Sequence, residues 1–274
     1  MFDIDIINTK TTLGESGFYL NKTNEIVFLD LLNPAIFFYS LNTRELIKSN
    51  LNLPKPLGNI YPLNNGNFLI SCFKGLFHYN RQTKKIRKYI DVRQKNEFKD
   101  ISYNDGTISK NKIWIGLCHI KETHDLGYFG YLQNNKFKTI DRGFKVSNGP
   151  ALDKGIKNLF FSDSFNSRIY KYDLKSLKKQ VVIKFNKKHG FPDGIALDNS
   201  NGLWVAHWAG SKVSRINLKN SEIDKEINLP ALNVTSVTFV GKKLDYLFVT
   251  TAKYGVTKNQ MKKYNHSGSS FIFK

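Results

Sequence analysis

An all-β propeller of six blades is the fold this sequence predicts. Three observations predict it: six short apolar segments at near-constant spacing, a second strand-like run soon after most of them, and turn signals between them. The segments are Val27-Phe28-Leu29-Asp30, Phe68-Leu69-Ile70-Ser71, Ile113-Trp114-Ile115-Gly116, Leu159-Phe160-Phe161-Ser162, Leu203-Trp204-Val205-Ala206 and Leu247-Phe248-Val249-Thr250. Counted at the second residue of each, they are separated by 41, 45, 46, 44 and 44 residues. A repeat of about 40–50 residues containing several strands is the signature of radially repeated four-stranded sheets, which leave only short, protected edges.

Each unit has β chemistry in the order the chain presents it. Aromatic and β-branched residues come in short runs, bounded by Asn65-Gly66, Lys154-Gly155 and Asn201-Gly202. A second run follows in the first five units, as Ile36 to Ser40, Gly75 to Tyr79, Tyr128 to Leu132, Arg168 to Tyr172 and Lys212 to Ile216. Ile4 to Ile7 at one end and Ser270 to Phe273 at the other lie outside the repeat and are expected to complete one closing blade. No linker or change of composition divides the chain, so residues 1–274 read as a single propeller domain.

Composition narrows the function. With 41% hydrophobic and 14% aromatic residues the chain can fill a core, which excludes global disorder. No apolar run approaches the roughly 18 residues of a membrane span, and Met1 to Lys10 lacks the pattern of a cleavable signal, so a cytoplasmic protein with no membrane partner is expected. Cys72 and Cys118 stand apart from each other and from any Cys/His cluster, leaving a disulfide scaffold and a structural zinc site unsupported. The net charge of +20 invites a nucleic-acid partner, but only seven of the 42 cations are Arg, whose fork reads phosphate and base edges. The basic runs, Lys84 to Lys88 and Lys184 to Lys188, are short and dispersed. Lys accompanies abundant Asn, Ile, Phe and Tyr, all specified by A/T-rich codons. A solvated basic surface with no nucleic-acid partner is the expectation.

A polar residue recurs 10 to 13 positions before each anchor: Glu15, Asn59, Asn104, Asn148, Asp193 and Ser236. Equivalent positions of successive blades face one axis, so these side chains are expected at one mouth of the central channel. Taken singly, Asn104-Asp105-Gly106, Asn148-Gly149 and Asp193-Gly194 also read as turns. Together they bring Glu15 and Asp193 near amide oxygens of Asn148 and Asn104. Hard oxygen donors of that kind suit Ca²⁺, Mg²⁺ or Mn²⁺, and a cation offsets the repulsion of two carboxylates.

At these residues the chain resembles the SMP-30/gluconolactonase/luciferin-regenerating-enzyme (regucalcin-like) family of six-bladed propellers. The motifs that carry the resemblance are Leu13-Gly14-Glu15-Ser16-Gly17, Asn104-Asp105-Gly106 before Ile113-Trp114-Ile115-Gly116, Ser147-Asn148-Gly149, Pro192-Asp193-Gly194-Ile195-Ala196-Leu197-Asp198, and Gly202 to Trp208. The resemblance implies metal-dependent hydrolysis of a sugar lactone to its aldonic acid in carbohydrate catabolism. It implies one divalent ion, calcium first and Mg, Mn, Zn or Fe as alternatives, held by Glu15, Asn148 and Asp193. Asp193 would double as general base, with Asn104 near ion and substrate. Many members place an Arg two residues before Asn-Asp-Gly to grip substrate hydroxyls; here that residue is Ser102. Where members often carry a substrate-facing Glu, the chain reads Cys118-His119-Ile120-Lys121-Glu122, so Ser102, His119 and Glu122 join Asn104 as substrate-binding candidates.

Other readings stay open at this level. The same carboxylate–amide cradle can polarise a phosphotriester, and a non-catalytic propeller can bind an acidic partner through its lysines. His119, Glu122 and His124 do not match the spacing of a zincin helix, and His207 reads equally as a proton shuttle or a hydrogen-bonded structural residue. No GxSxG, Walker A or GxGxxG motif occurs. Oligomeric state leaves no trace in the sequence.

Overall fold

The computed structural model describes residues 3–274, which form six four-stranded antiparallel sheets around one axis. Blade one runs Gly14–Leu20, Glu25–Asp30, Ala35–Ser40 and Leu46–Asn50 from the axis outward. Blade two begins at Leu57–Pro62, blade three at Ile101–Ser109, blade four at Ser147–Leu152, blade five at Phe191–Leu197 and blade six at Asn233–Val240. All six anchors fall in the second strand of their blades, and each is buried. The expected closure is observed: Ile4–Ile7 pairs antiparallel with Ser270–Phe273, placing the N-terminal strand outermost in blade six.

The anchors are continuous apolar runs because both faces of each blade are covered. Six hydrophobic clusters occupy the six interfaces between neighbouring blades. In blade one, Val27 and Leu29 pack with Leu57 and Phe68 of blade two, while Ile26 and Phe28 turn to Val240 and Phe248 of blade six. The Phe28 and Phe248 rings lie 5.3 Å apart across the closing interface. Alternation along a strand thus sends successive residues to two different cores.

The outermost strands are the part that apolar patterning does not reveal. Leu46–Asn50, Ile86–Ile90 and Lys179–Lys184 carry half-exposed or exposed residues, among them Lys48, Arg87, Lys88, Lys179 and Lys184. The basic run Lys84 to Lys88 therefore leads into and lies on the edge of blade two. Charge on an exposed edge discourages another strand from pairing there. Among the described residues, no helix is long and apolar enough to cross a membrane.

One device recurs at the axis. In every blade the pairing of first and second strands slips, between Glu15 and Phe18, Leu57 and Ile60, Tyr103 and Gly106, Asn148 and Ala151, Pro192 and Ile195, and Val234 and Ser236. A β-bulge inserts an unpaired residue, bends its strand and re-aims a side chain. The slips coincide with the polar positions singled out from the sequence.

Candidate metal centre and active site

The bulges place side chains from four blades in one cavity of about 190 Å³ at one end of the channel. Its polar lining includes Glu15, Asn104, Asp105, Glu122, Asn148 and Asp193. Four of the six ring positions therefore meet there. Asn59 and Ser236 border a second cavity toward the other end, so the single mouth expected for all six divides into two. Ser102 and His119 do not line the first cavity. The Ser102 hydroxyl is buried and donates to the Tyr103 carbonyl at 3.3 Å. His119, buried at the end of its strand, turns Nδ1 toward the Thr123 hydroxyl at 3.1 Å and stacks edge-on against His124. Glu122 is exposed at the cavity mouth, on a turn with φ of 54°.

Asp105 is the site residue that sequence reasoning passed over as part of a turn. Its Oδ1 accepts from the Asn59 amide at 3.0 Å and the Gly106 N–H at 2.7 Å; its Oδ2 accepts from the Gly149 N–H at 2.7 Å. Gly149 has φ of +50°, and a Cβ there would meet the Ile195 nitrogen at 2.5 Å, so only glycine fits this approach between inner strands. The amides of Asn104 and Asn148 are also committed. Asn104 Nδ2 donates to the Ser147 carbonyl at 3.0 Å and to Asn148 Oδ1 at 2.5 Å, while Asn148 Nδ2 donates to Ser164 Oγ at 3.0 Å. These bonds use both amide hydrogens of Asn104 and one of Asn148, leaving the Asn104 carbonyl oxygen and the second lone pair of Asn148 Oδ1 as acceptors.

Burial dominates the electrostatics. It raises the carboxyls of Glu15 and Asp193 well above the usual range; the charge of Asp105 adds to this at Glu15, and those of Glu15, Asp105 and Glu122 add to it at Asp193. Asp105 is pushed up to about 6 by burial, against the pull of the Gly106 and Gly149 N–H groups. Among the described residues lining the cavity there is no Lys, Arg or His, although the chain carries a net charge of +20. Carboxylates crowded out of water without a cation call for one. Among the described residues no three His, Cys, Asp or Glu side chains form a ligand group. With both its oxygens occupied by N–H donors, Asp105 is a source of charge, and the donor set that remains is two carboxylates and the Asn148 amide. That set of hard oxygens fits a divalent cation.

His207 is structural. Fully buried, it contacts Ser214 Oγ at 2.9 Å and meets the Phe185 ring edge-on, and burial holds its imidazole down to about 3. Both cysteines are free and buried, and burial raises their thiols.

The SMP-30/gluconolactonase/LRE-like family model matches residues 13–253, which includes the inner strands of all six blades. The chain belongs to that family. Regucalcin of Danio rerio is 25% identical over 97% of this chain and 92% of its own. A calcium-binding regucalcin from Agrobacterium tumefaciens superposes with a TM-score of 0.89 at 18% identity, covering 98% of this chain and 92% of its own. A gluconolactonase from Xanthomonas campestris does so with a TM-score of 0.79 at 12% identity, covering 99% and 89%. For this family member, the two structural likenesses establish the propeller and leave the chemistry to be argued from the site.

Proposed function

We propose that this propeller is a divalent-metal-dependent lactonase that opens an aldonolactone to its aldonic acid. The observation that carries the proposal is the cavity itself: Glu15 and Asp193 buried together, a further carboxylate at Asp105, and no cationic side chain lining it. Glu15, Asn148 and Asp193 would hold the ion; their hard oxygens suit Ca, Mg or Mn over Zn or Fe, and the calcium-binding regucalcin that superposes on this chain supports calcium first. A bound divalent ion supplies Lewis-acid polarisation of the carbonyl and compensates the carboxylate charge. The gluconolactonase function named for a structural neighbour, and the family's own name, support the same reaction.

The chain's residues do the rest. Asp193 takes a proton from the attacking water as its oxygen bonds to the carbonyl carbon, then returns it to the ring oxygen as the ring C–O bond breaks. One lactone and one water give one hydroxy acid. Asn104, with its amide hydrogens spent, offers a carbonyl oxygen to a substrate hydroxyl, and Glu122 accepts another at the mouth. Asp105 fixes the inner strand of blade four through the Gly149 N–H and so positions Asn148. The reading includes a cytoplasmic setting in carbohydrate catabolism, a small-molecule substrate, and no nucleic-acid or membrane partner.

The test compares wild type with Glu15→Gln and Asp193→Asn on δ-gluconolactone and on a phosphotriester, with circular dichroism as the check on folding. Each variant is expected to stay folded and lose at least about 100-fold in lactone turnover, the scale of a positioned acid–base group. Full lactone activity in either variant, or turnover of the phosphotriester alone, would overturn the proposal.

A further inference from the structure

The same cavity has a second chemistry. Beside its acidic floor it is lined by Phe165, Phe191, Trp208 and Tyr254, with Leu31 and Val146. The aromatics come from the loop after the second strand of blade four, from the first two strands of blade five, and from the turn after the second strand of blade six. Glu122 belongs to blade three. Phe165, Phe191 and Tyr254 are among the most exposed large apolar residues in the molecule, at 44%, 41% and 56%, and the rings of Phe165 and Phe191 lie 5.7 Å apart. An exposed aromatic by itself means little; several gathered at the entrance to one acidic cavity form a continuous apolar wall.

The polar side is poorly equipped for a ring covered in hydroxyls. A site built to grip hydroxyls needs fixed donors and acceptors facing them. Here the lining has no cationic donor, both amide hydrogens of Asn104 and one of Asn148 are spent inside the protein, and Ser102 bonds to its neighbour's carbonyl. What remains for hydroxyls is carboxylate and carbonyl oxygen with the Ser164 hydroxyl and one Asn148 N–H as donors, few fixed donors for a ring covered in hydroxyls.

We infer that the lactone this site prefers bears an apolar substituent, seated against Phe165, Phe191, Trp208 and Tyr254 while the ring carbonyl faces Glu15, Asn148 and Asp193. This rests on the lactonase reading, keeps its reaction, and departs from its aldonolactone in one respect: the preferred ring carries an apolar arm in place of full hydroxylation. The hydrolysis is unchanged: the oxygen of water bonds to the carbonyl carbon, the ring C–O bond breaks, and the ring oxygen leaves protonated as the hydroxyl of the product acid. A volume of about 190 Å³ has room for a compact ring with a short substituent.

The experiment is a matched series on the full chain with Ca²⁺ supplied: δ-gluconolactone, unsubstituted δ-valerolactone, and δ-decalactone, whose pentyl arm sits beside the ring oxygen. Each buried methylene gives a several-fold gain, so kcat/KM is expected to rise at least about tenfold from δ-valerolactone to δ-decalactone. It is also expected to exceed the value for δ-gluconolactone. Phe165→Ser and Phe191→Ser, at exposed positions, should cut the preference for δ-decalactone over δ-valerolactone about fivefold or more, through KM. Highest kcat/KM on δ-gluconolactone, or a preference unchanged in both variants, would overturn the inference while leaving the lactonase reading intact. Failure to open any of the three would instead remove the lactonase reading. Trp208 fluorescence then decides the apolar wall: saturable quenching by δ-decalactone, weakened by Phe191→Ser, upholds it, and its absence overturns it.

Discussion

At the scale of single residues, Asp105 makes the clearest case that position on a bulge, more than residue type, determines a role here. Its carboxyl stands at about 6, raised by burial from an ordinary value near 4. The sign of the linkage follows. Below about pH 4 the group is protonated in both folded and unfolded chains and costs nothing. Between about 4 and 6 the unfolded chain ionises while the folded chain keeps its proton, so stability falls through that window and stays lower above it. In chelator, the Tm of Asp105→Asn relative to wild type is therefore expected to rise by several degrees from pH 4 to pH 6.5, whatever baseline cost the amide brings. A difference that stays flat with pH would contradict the assignment. Glu15 was legible in the sequence because Glu, unlike Asp or Asn, is not a turn residue by preference, and Asp193 because its Asp-Gly recurred in phase with the others. Asp105 was not, since nothing in Asn104-Asp105-Gly106 says which of two adjacent polar residues a bulge will point at the axis. Ser102 and His119 were chosen by position alone, and each instead satisfies its own polar atoms locally.

At the scale of elements, the anchors were readable because two-faced burial makes second strands apolar throughout. The edge strands were not, because their lysines and polar residues match the loops that join them. The closing strand is the element whose contribution is most directly testable. Ile4–Ile7 covers Ser270–Phe273, Lys274 pairs with Asp5 at 2.6 Å, and Thr9 and Thr11 both bond the Gly268 carbonyl. Removing residues 1–8 strips that cover and turns the strand holding Phe271 and Phe273 into an open edge. Thermal unfolding should then occur at least several degrees lower, with light scattering that grows with protein concentration. An unchanged Tm in a monodisperse sample would mean that the N-terminal strand contributes nothing to closure. The aromatic wall escaped sequence reading for a related reason. Phe165, Phe191, Trp208 and Tyr254 lie just beyond or at the ends of strands in three blades, and no local pattern marks them as neighbours.

At the scale of the whole molecule, charge and site are kept apart. Arg81, Arg93 and Arg215 are drawn into ion pairs with Glu25, Asp91 and Asp198, so three of the seven arginines stabilise the fold instead of presenting a phosphate-reading surface. Lysines lie on the outer edges of blades one to four, while the axial cavity is acidic and without a cationic side chain among the described residues. The central claim is that this acidic cavity works with a divalent ion on a lactone carbonyl. Its most direct test follows acid release from a panel of five- and six-membered lactones at constant pH, corrected for spontaneous opening. Protein stripped by chelator is compared with the same protein after each divalent ion is restored. The account predicts that stripped protein opens no lactone faster than buffer and that one equivalent of a divalent ion restores turnover. Equal turnover by stripped and restored protein would contradict it.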